Sequence, residues 1–145
     1  TQQQPETQTK AQPEQQSPTE PQQKQEAKGY SPQNVVSLAT AKTKAYGKVT
    51  LTDNLNSLLA EGAITQEEYN EYYPYDGAGY YSVFVQTDLN RAGTTSGKSL
   101  SSEDAIAQYI ADMLGLESGP YFLIEYAGTY STGGEDFYEF RCYRA

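Results

Sequence analysis

Side chains larger and more apolar than Ala are missing from residues 1 to 29, and from Tyr30 onward they return in blocks whose period alternates between helical and strand-like. The first block runs from Ser31 to Gly47. Val35, Val36, Leu38, Ala39 and Ala41 form a modest stripe behind Ser31 at an N-cap position and Pro32 at the first helical position, which predicts a helix closed by Gly47. In the next block Leu55, Leu58 and Leu59 recur at three- and four-residue spacing after a cap at Thr52 or Asp53, and Gly62 ends the run. Thr65 followed three residues later by Glu68 then reads as a capping box for a short helix carrying Tyr69, Tyr72 and Tyr73, stopped by Pro74.

The period shortens at Tyr80 to Leu89, where Tyr81, Val83 and Val85 alternate with Tyr80, Ser82, Phe84 and Gln86. Asn90 to Gly97 reads as a polar loop. Ser101 or Ser102 then caps the strongest helix, whose Ala105, Ile106, Tyr109, Ile110, Met113 and Leu114 share one face before Gly115. Tyr121 to Tyr130 and Phe137 to Arg144 read as two aromatic strands of a hairpin, with Phe122, Ile124 and Tyr126 facing the core together with Tyr138, Phe140 and Cys142. The expected architecture is α+β: a small three-stranded antiparallel sheet packed with three to four helices on one face, forming a single globular domain over 30 to 145.

Residues 1 to 29 hold ten Gln, four Pro, four Glu, four Thr and three Lys. A segment with nothing to bury cannot offset an ordering cost of roughly 1 to 2 kcal/mol per residue, so it is expected to be a disordered spacer. As extended polyproline II at about 3.1 Å per residue it would reach roughly 90 Å. Removing it leaves seven basic and fifteen acidic residues in the domain, a net charge of −8 out of the chain's −9. A domain this acidic repels phosphate backbones and anionic lipid, which excludes nucleic acid as a partner. No run of apolar residues is long enough to span a bilayer.

A Gln/Pro/Thr spacer followed by a small acidic domain that holds all 14 Tyr resembles the mature part of a Gram-positive, streptococcal-type surface lipoprotein. The resemblance implies an extracytoplasmic location at the bacterial surface, with membrane contact only through a lipidated Cys ahead of Thr1. A covalent wall anchor is the weaker alternative, because Arg141 to Ala145 carries no sorting motif. The stretch Leu58 to Glu71 is also similar to a short helix-pair motif found at the C-termini of many bacterial proteins, which implies local structure only.

With no His and one Cys, the nucleophile pairs Ser-His and Cys-His and a zinc site of soft ligands are excluded. Cys142, on a predicted core strand, reads as a small buried hydrophobe. Ala92 to Ser99 matches a relaxed phosphate-loop pattern, but Ala92 replaces the first Gly and the next helix starts too late for Lys98 and Ser99 to open it, so a strand-to-helix loop is expected. Asp53, Asn54 and Asn56 cluster without the Gly and distal Glu of a calcium loop. No cofactor and no metal are expected.

Two features remain as candidate chemistry. Glu125 and Glu139 lie on the terminal hairpin, where Arg141 shares a face with Glu139 and a cross-strand ion pair is expected in preference to catalysis. Six Tyr fall between positions 69 and 81, and of these Tyr72, Tyr73, Tyr75 and Tyr80 are the candidate binding residues, while Tyr69, Tyr109 and Tyr126 sit on predicted core faces. The expected function is a non-enzymatic, monomeric surface domain that binds a protein or a wall glycan through these Tyr. The alternative is a small carboxylate-dependent hydrolase of wall polymer.

Overall fold

The structure of the protein is a computed structural model that describes residues 26 to 145. The greater part of the expected spacer, residues 1 to 25, lies outside the described residues. From Glu26 the chain already touches the domain: the Lys28 carbonyl accepts from the Leu89 amide, the Lys28 amide donates to Asp88, and Asn90 donates to the Glu26 carbonyl.

Helix α1, Pro32–Ala45, is capped by Ser31, whose Oγ accepts from the Asn34 amide. After a two-residue strand β1, Val49–Thr50, come α2, Leu51–Ala60, and α3, Gln66–Tyr72. Thr50 caps α2, one position ahead of Leu51, so the expected caps at Thr52 and Asp53 fall inside the helix. The α2 to α3 turn is a Schellman closure: Gly62 at φ +76 donates to Leu59 and Ala63 donates to Leu58. Thr65 and Glu68 complete both bonds of the capping box. Strand β2, Gly79–Gln86, precedes α4, Glu103–Gly115, which Ser102 caps. Strands β3, Tyr121–Thr132, and β4, Glu135–Arg144, form a hairpin over Gly133 and Gly134. Both glycines have positive φ, the twist that a two-residue turn needs to match its strands.

Among the described residues the sheet has four strands in the order β1-β3-β4-β2, and it is mixed. This corrects the expected three-stranded antiparallel sheet: β1 pairs parallel to β3, with Val49 opposite Tyr121 and the Val49 amide bonded to the Pro120 carbonyl. Two residues carry no measurable alternation, so β1 exists only because the chain leaving α1 passes the edge of β3. The other pairings, β2 with β4 and β3 with β4, are antiparallel, with a bulge in β3 between Tyr126 and Gly128.

Helices α1 and α4 pack together over one face of the sheet. Val35 and Ala39 of α1 and Ile106, Ala107, Ile110 and Leu114 of α4 meet Val83, Val85, Phe122, Ile124, Phe140 and Cys142 in one buried cluster. The hairpin faces are therefore as expected, and Cys142 is fully buried. Desolvation pushes its thiol up to about 12, well above the range in which a thiolate is available to react.

Candidate functional site

Because side chains alternate along a strand, the face turned away from α1 and α4 is built from the residues in between. On β2 these are Tyr80, Ser82, Phe84 and Gln86, and their register partners on β4 are Tyr143, Arg141, Glu139 and Phe137. On β3 the same face carries Leu123, Glu125, Gly128 and Tyr130.

One end of this face is closed by the segment that follows α3. Asp76 and Gly77, both at positive φ, turn the chain back so that Tyr75 lies over the sheet. Its ring stacks on Tyr143 at 4.3 Å between centroids and 19° between planes, and its hydroxyl donates to Glu125 Oε2 at 2.6 Å. The Tyr143 hydroxyl reaches the other oxygen of the same carboxylate at 3.4 Å. That bond to Glu125, with desolvation behind it, raises the Tyr75 phenol above its ordinary range. Tyr143 becomes 94 % buried as a result, being 6 % exposed. Tyr75 is therefore a clasp on the sheet, half-buried and committed to Glu125.

The other end is open. Phe84 and Tyr130 are 44 % and 51 % exposed, with ring centroids 5.3 Å apart. Tyr80, exposed on the same face but at the closed end, 5.1 Å from the Tyr143 ring, carries the Arg141 guanidinium over its ring at 5.0 Å from the centroid. Arg141 Nε donates to Glu139 at 3.2 Å, and Ser82 Oγ donates to the same oxygen at 2.6 Å. The Ser82 bond first, and Arg141 with it, hold the Glu139 carboxyl below the usual range. The expected cross-strand ion pair is not formed among the described residues: Arg141 pairs with Glu139 along one strand, between positions two apart.

Of the four Tyr singled out by sequence, the fold places only Tyr75 and Tyr80 on the sheet face. Tyr72 and Tyr73 are exposed at the end of α3, where Tyr73 stacks on Tyr69 at 5.4 Å. The Phe84 and Tyr130 pair, with Ser82, Glu139 and Arg141 beside it, was not singled out. Its signal was the alternation itself, since Phe84 shares the Tyr80 face.

Four of the surface clefts among the described residues hold about 260, 270, 200 and 270 Å³, below the 300 to 1,000 Å³ of ordinary small-molecule pockets. Among the described residues no group of three or more His, Cys, Asp or Glu is placed to hold a metal ion. The Ala92 to Ser99 stretch folds on itself: Gly93 bridges Ser99, Thr94 exchanges backbone and side-chain bonds with Lys98, and α4 starts only at Glu103. No helix of the described residues is long and apolar enough to cross a membrane. No protein-family model, curated protein or solved structure matches the chain.

Proposed function

We propose that this is a non-catalytic binding domain, held at a bacterial surface by an N-terminal lipid anchor, that recognises a protein through the open end of its sheet. The observation that carries the reading is the exposed Phe84 and Tyr130 pair on the same strand face as Tyr80 and its Arg141. Aromatic and Arg side chains are the types that dominate protein recognition energetics, and on strands their positions are already ordered before binding. The location is supported by the polar Gln/Pro-rich leader. A carboxylate hydrolase would need one carboxyl group kept protonated near neutral pH. Glu139 is held the opposite way, and Glu125 is engaged by two phenols.

The test is binding of the labelled full chain to Gram-positive envelope fractions. Phe84→Ala combined with Tyr130→Ala is expected to weaken binding by about tenfold or more, the scale of a lost aromatic anchor, while Tyr46→Ala, exposed on the helical side, leaves it unchanged. Pretreating the envelope with protease should remove the binding sites and pretreating it with a muramidase should not. Equal binding by the double variant would end the assignment of this face, and the reverse enzyme pattern would make the partner a glycan.

A further inference from the structure

The geometry points to strand addition: β2 takes an extended segment of another protein as a fifth strand, with apolar alternate residues at its centre and Lys or Arg at its ends. The inference rests on the binding-domain reading and names the class of partner. Among the described residues β2 is the last strand of the sheet, with β4 as its one neighbour. Beyond that pairing, no backbone hydrogen bond among the described residues involves Tyr80 to Val85, so one row of amides and carbonyls faces outward without a backbone partner. Proteins usually blunt such an edge with a charge, a Pro, a bulge or sheer shortness. The opposite edge, β1, is blunted by its two-residue length. β2 uses none of these devices: it is eight residues long, has no charged residue and no Pro, and pairs with β4 without a register shift.

Beside this edge on the helical side runs a groove of about 200 Å³ between Tyr81 and Val83 of β2, Tyr109 and Met113 of α4, and the turn at Thr94 and Thr95. The turn bonds within itself, Thr94 to Lys98 and Gly97 to Thr94, and its Gly93 amide donates to the Gln86 side chain, so among the described residues none of its backbone bonds reaches the backbone of Tyr80 to Val85 across the gap. An added strand would send alternate side chains into the groove and the others past Phe84 onto the open face.

Charge selects the occupant. The groove lining is uncharged. Between Lys48 and Arg91 the chain has seven acids and no base, and Asp76 and Asp88 flank β2 on either side. Glu135 and Asp136 stand at the Gln86 end, where Arg91 is already paired with Glu135. A second copy would bring a further −8 to the same edge, whereas a cationic segment is attracted to it.

The experiment is an amide-resolved NMR titration of the full chain with an acetylated peptide alternating Val and Thr between paired Lys. Shifts are expected at Tyr80 to Val85 and at Gly93 to Thr95, and the outward amides of β2 should exchange with solvent at least about tenfold more slowly. Replacing the paired Lys by Glu should weaken binding by about tenfold. N-methylation of the peptide amides should abolish it, because main-chain bonds carry this mode of recognition. Thr95→Lys, an exposed turn residue at the groove, should weaken it without unfolding the domain. Unmoved β2 amides, or unchanged binding by the N-methylated peptide, overturn strand addition. If the β2 amides stay unmoved while the ring signals of Phe84, Tyr130 and Tyr80 shift, the binding-face assignment survives alone. Sedimentation of the chain as a dimer that Thr95→Lys dissociates and the peptide does not would overturn it in favour of a second copy.

Discussion

The two faces of the sheet are made by the same strands and differ by one residue in register, yet they are built on opposite terms. Toward α1 and α4 the strands present Val85, Phe122, Phe140 and Cys142, all fully buried. Toward the other side they present Tyr, Phe, Glu, Arg and Ser, closed by Tyr75 at one end and open at Phe84 and Tyr130. The first face holds the fold by excluded water and packing. The second keeps its aromatic area in solvent and spends its polar groups on one another, which is the composition of a surface that has something still to contact. Matched substitutions on the two faces must therefore behave differently.

The largest difference is expected for the two phenylalanines that sit on neighbouring strands. Phe140→Ala empties a fully buried site, and such truncations cost about 3 to 5 kcal/mol. Phe84→Ala removes a side chain already 44 % exposed and is expected to cost less than about 1 kcal/mol. Urea unfolding midpoints with a common slope measure both. Comparable losses would mean that the open face belongs to the core and would break the comparison.

Tyr75 marks where one regime passes into the other, and its effect is next in size. Tyr75→Phe keeps the stacking on Tyr143 but leaves Glu125 short of its strongest donor, at a cost of about 1 to 2 kcal/mol. The same bond has a pH signature. The folded phenol titrates above its ordinary value of 10.0, so its contribution is complete below pH 10 and is lost as the pH rises further, when the unfolded chain releases the proton more readily. Tyr30 and Tyr81, both raised by burial, act in the same direction. Tyr75→Phe should therefore show a smaller stability loss on going from neutral to alkaline solution than the parent chain does. An unchanged alkaline limb would remove the hydroxyl from the clasp.

These same residues show how much was legible before the fold was known. The helices and the hairpin were, because each announces itself over ten or so residues with its own period, cap and stop. The α2 start was misplaced because Thr50, Thr52 and Asp53 all have capping chemistry. What decides between them is that Leu51 is fully buried, a tertiary matter. Strand β1 was invisible for the same reason. Tyr75 sat in a row of Tyr with no local feature to distinguish it, although Asp76-Gly77 behind it is a turn signal. Tyr density points to a stretch of chain, and density does not say which side chains share a plane. Alternation does, and it puts Phe84 and Tyr80 on one face, joined by Tyr130 once β4 has brought β2 and β3 into one sheet.

Below Tyr75 in expected effect come the open aromatics taken together. The Phe84→Ala and Tyr130→Ala pair should change stability by no more than about 1 kcal/mol in total, the scale of one exposed aromatic contact. Its loss should be read instead in envelope binding. A double variant that unfolds would assign these rings to structure. One that folds and binds normally would leave the face without its proposed purpose.

The smallest effect is expected at Glu139, and it separates charge from shape within the open face. Ser82 and Arg141 hold the folded carboxyl below its ordinary value of 4.5, so what ionisation adds to stability is present above pH 4.5 and disappears as the pH falls through the folded value. Glu139→Gln keeps an oxygen for Ser82 to donate to but removes the charge that Arg141 faces. The gap in urea midpoint between the parent chain and the variant should therefore be measurable at neutral pH and close on acidification. A gap that stays constant from neutral to acid pH would mean that the carboxylate matters for its packing and hydrogen bond alone, and that Arg141 is held over Tyr80 without help from its neighbour.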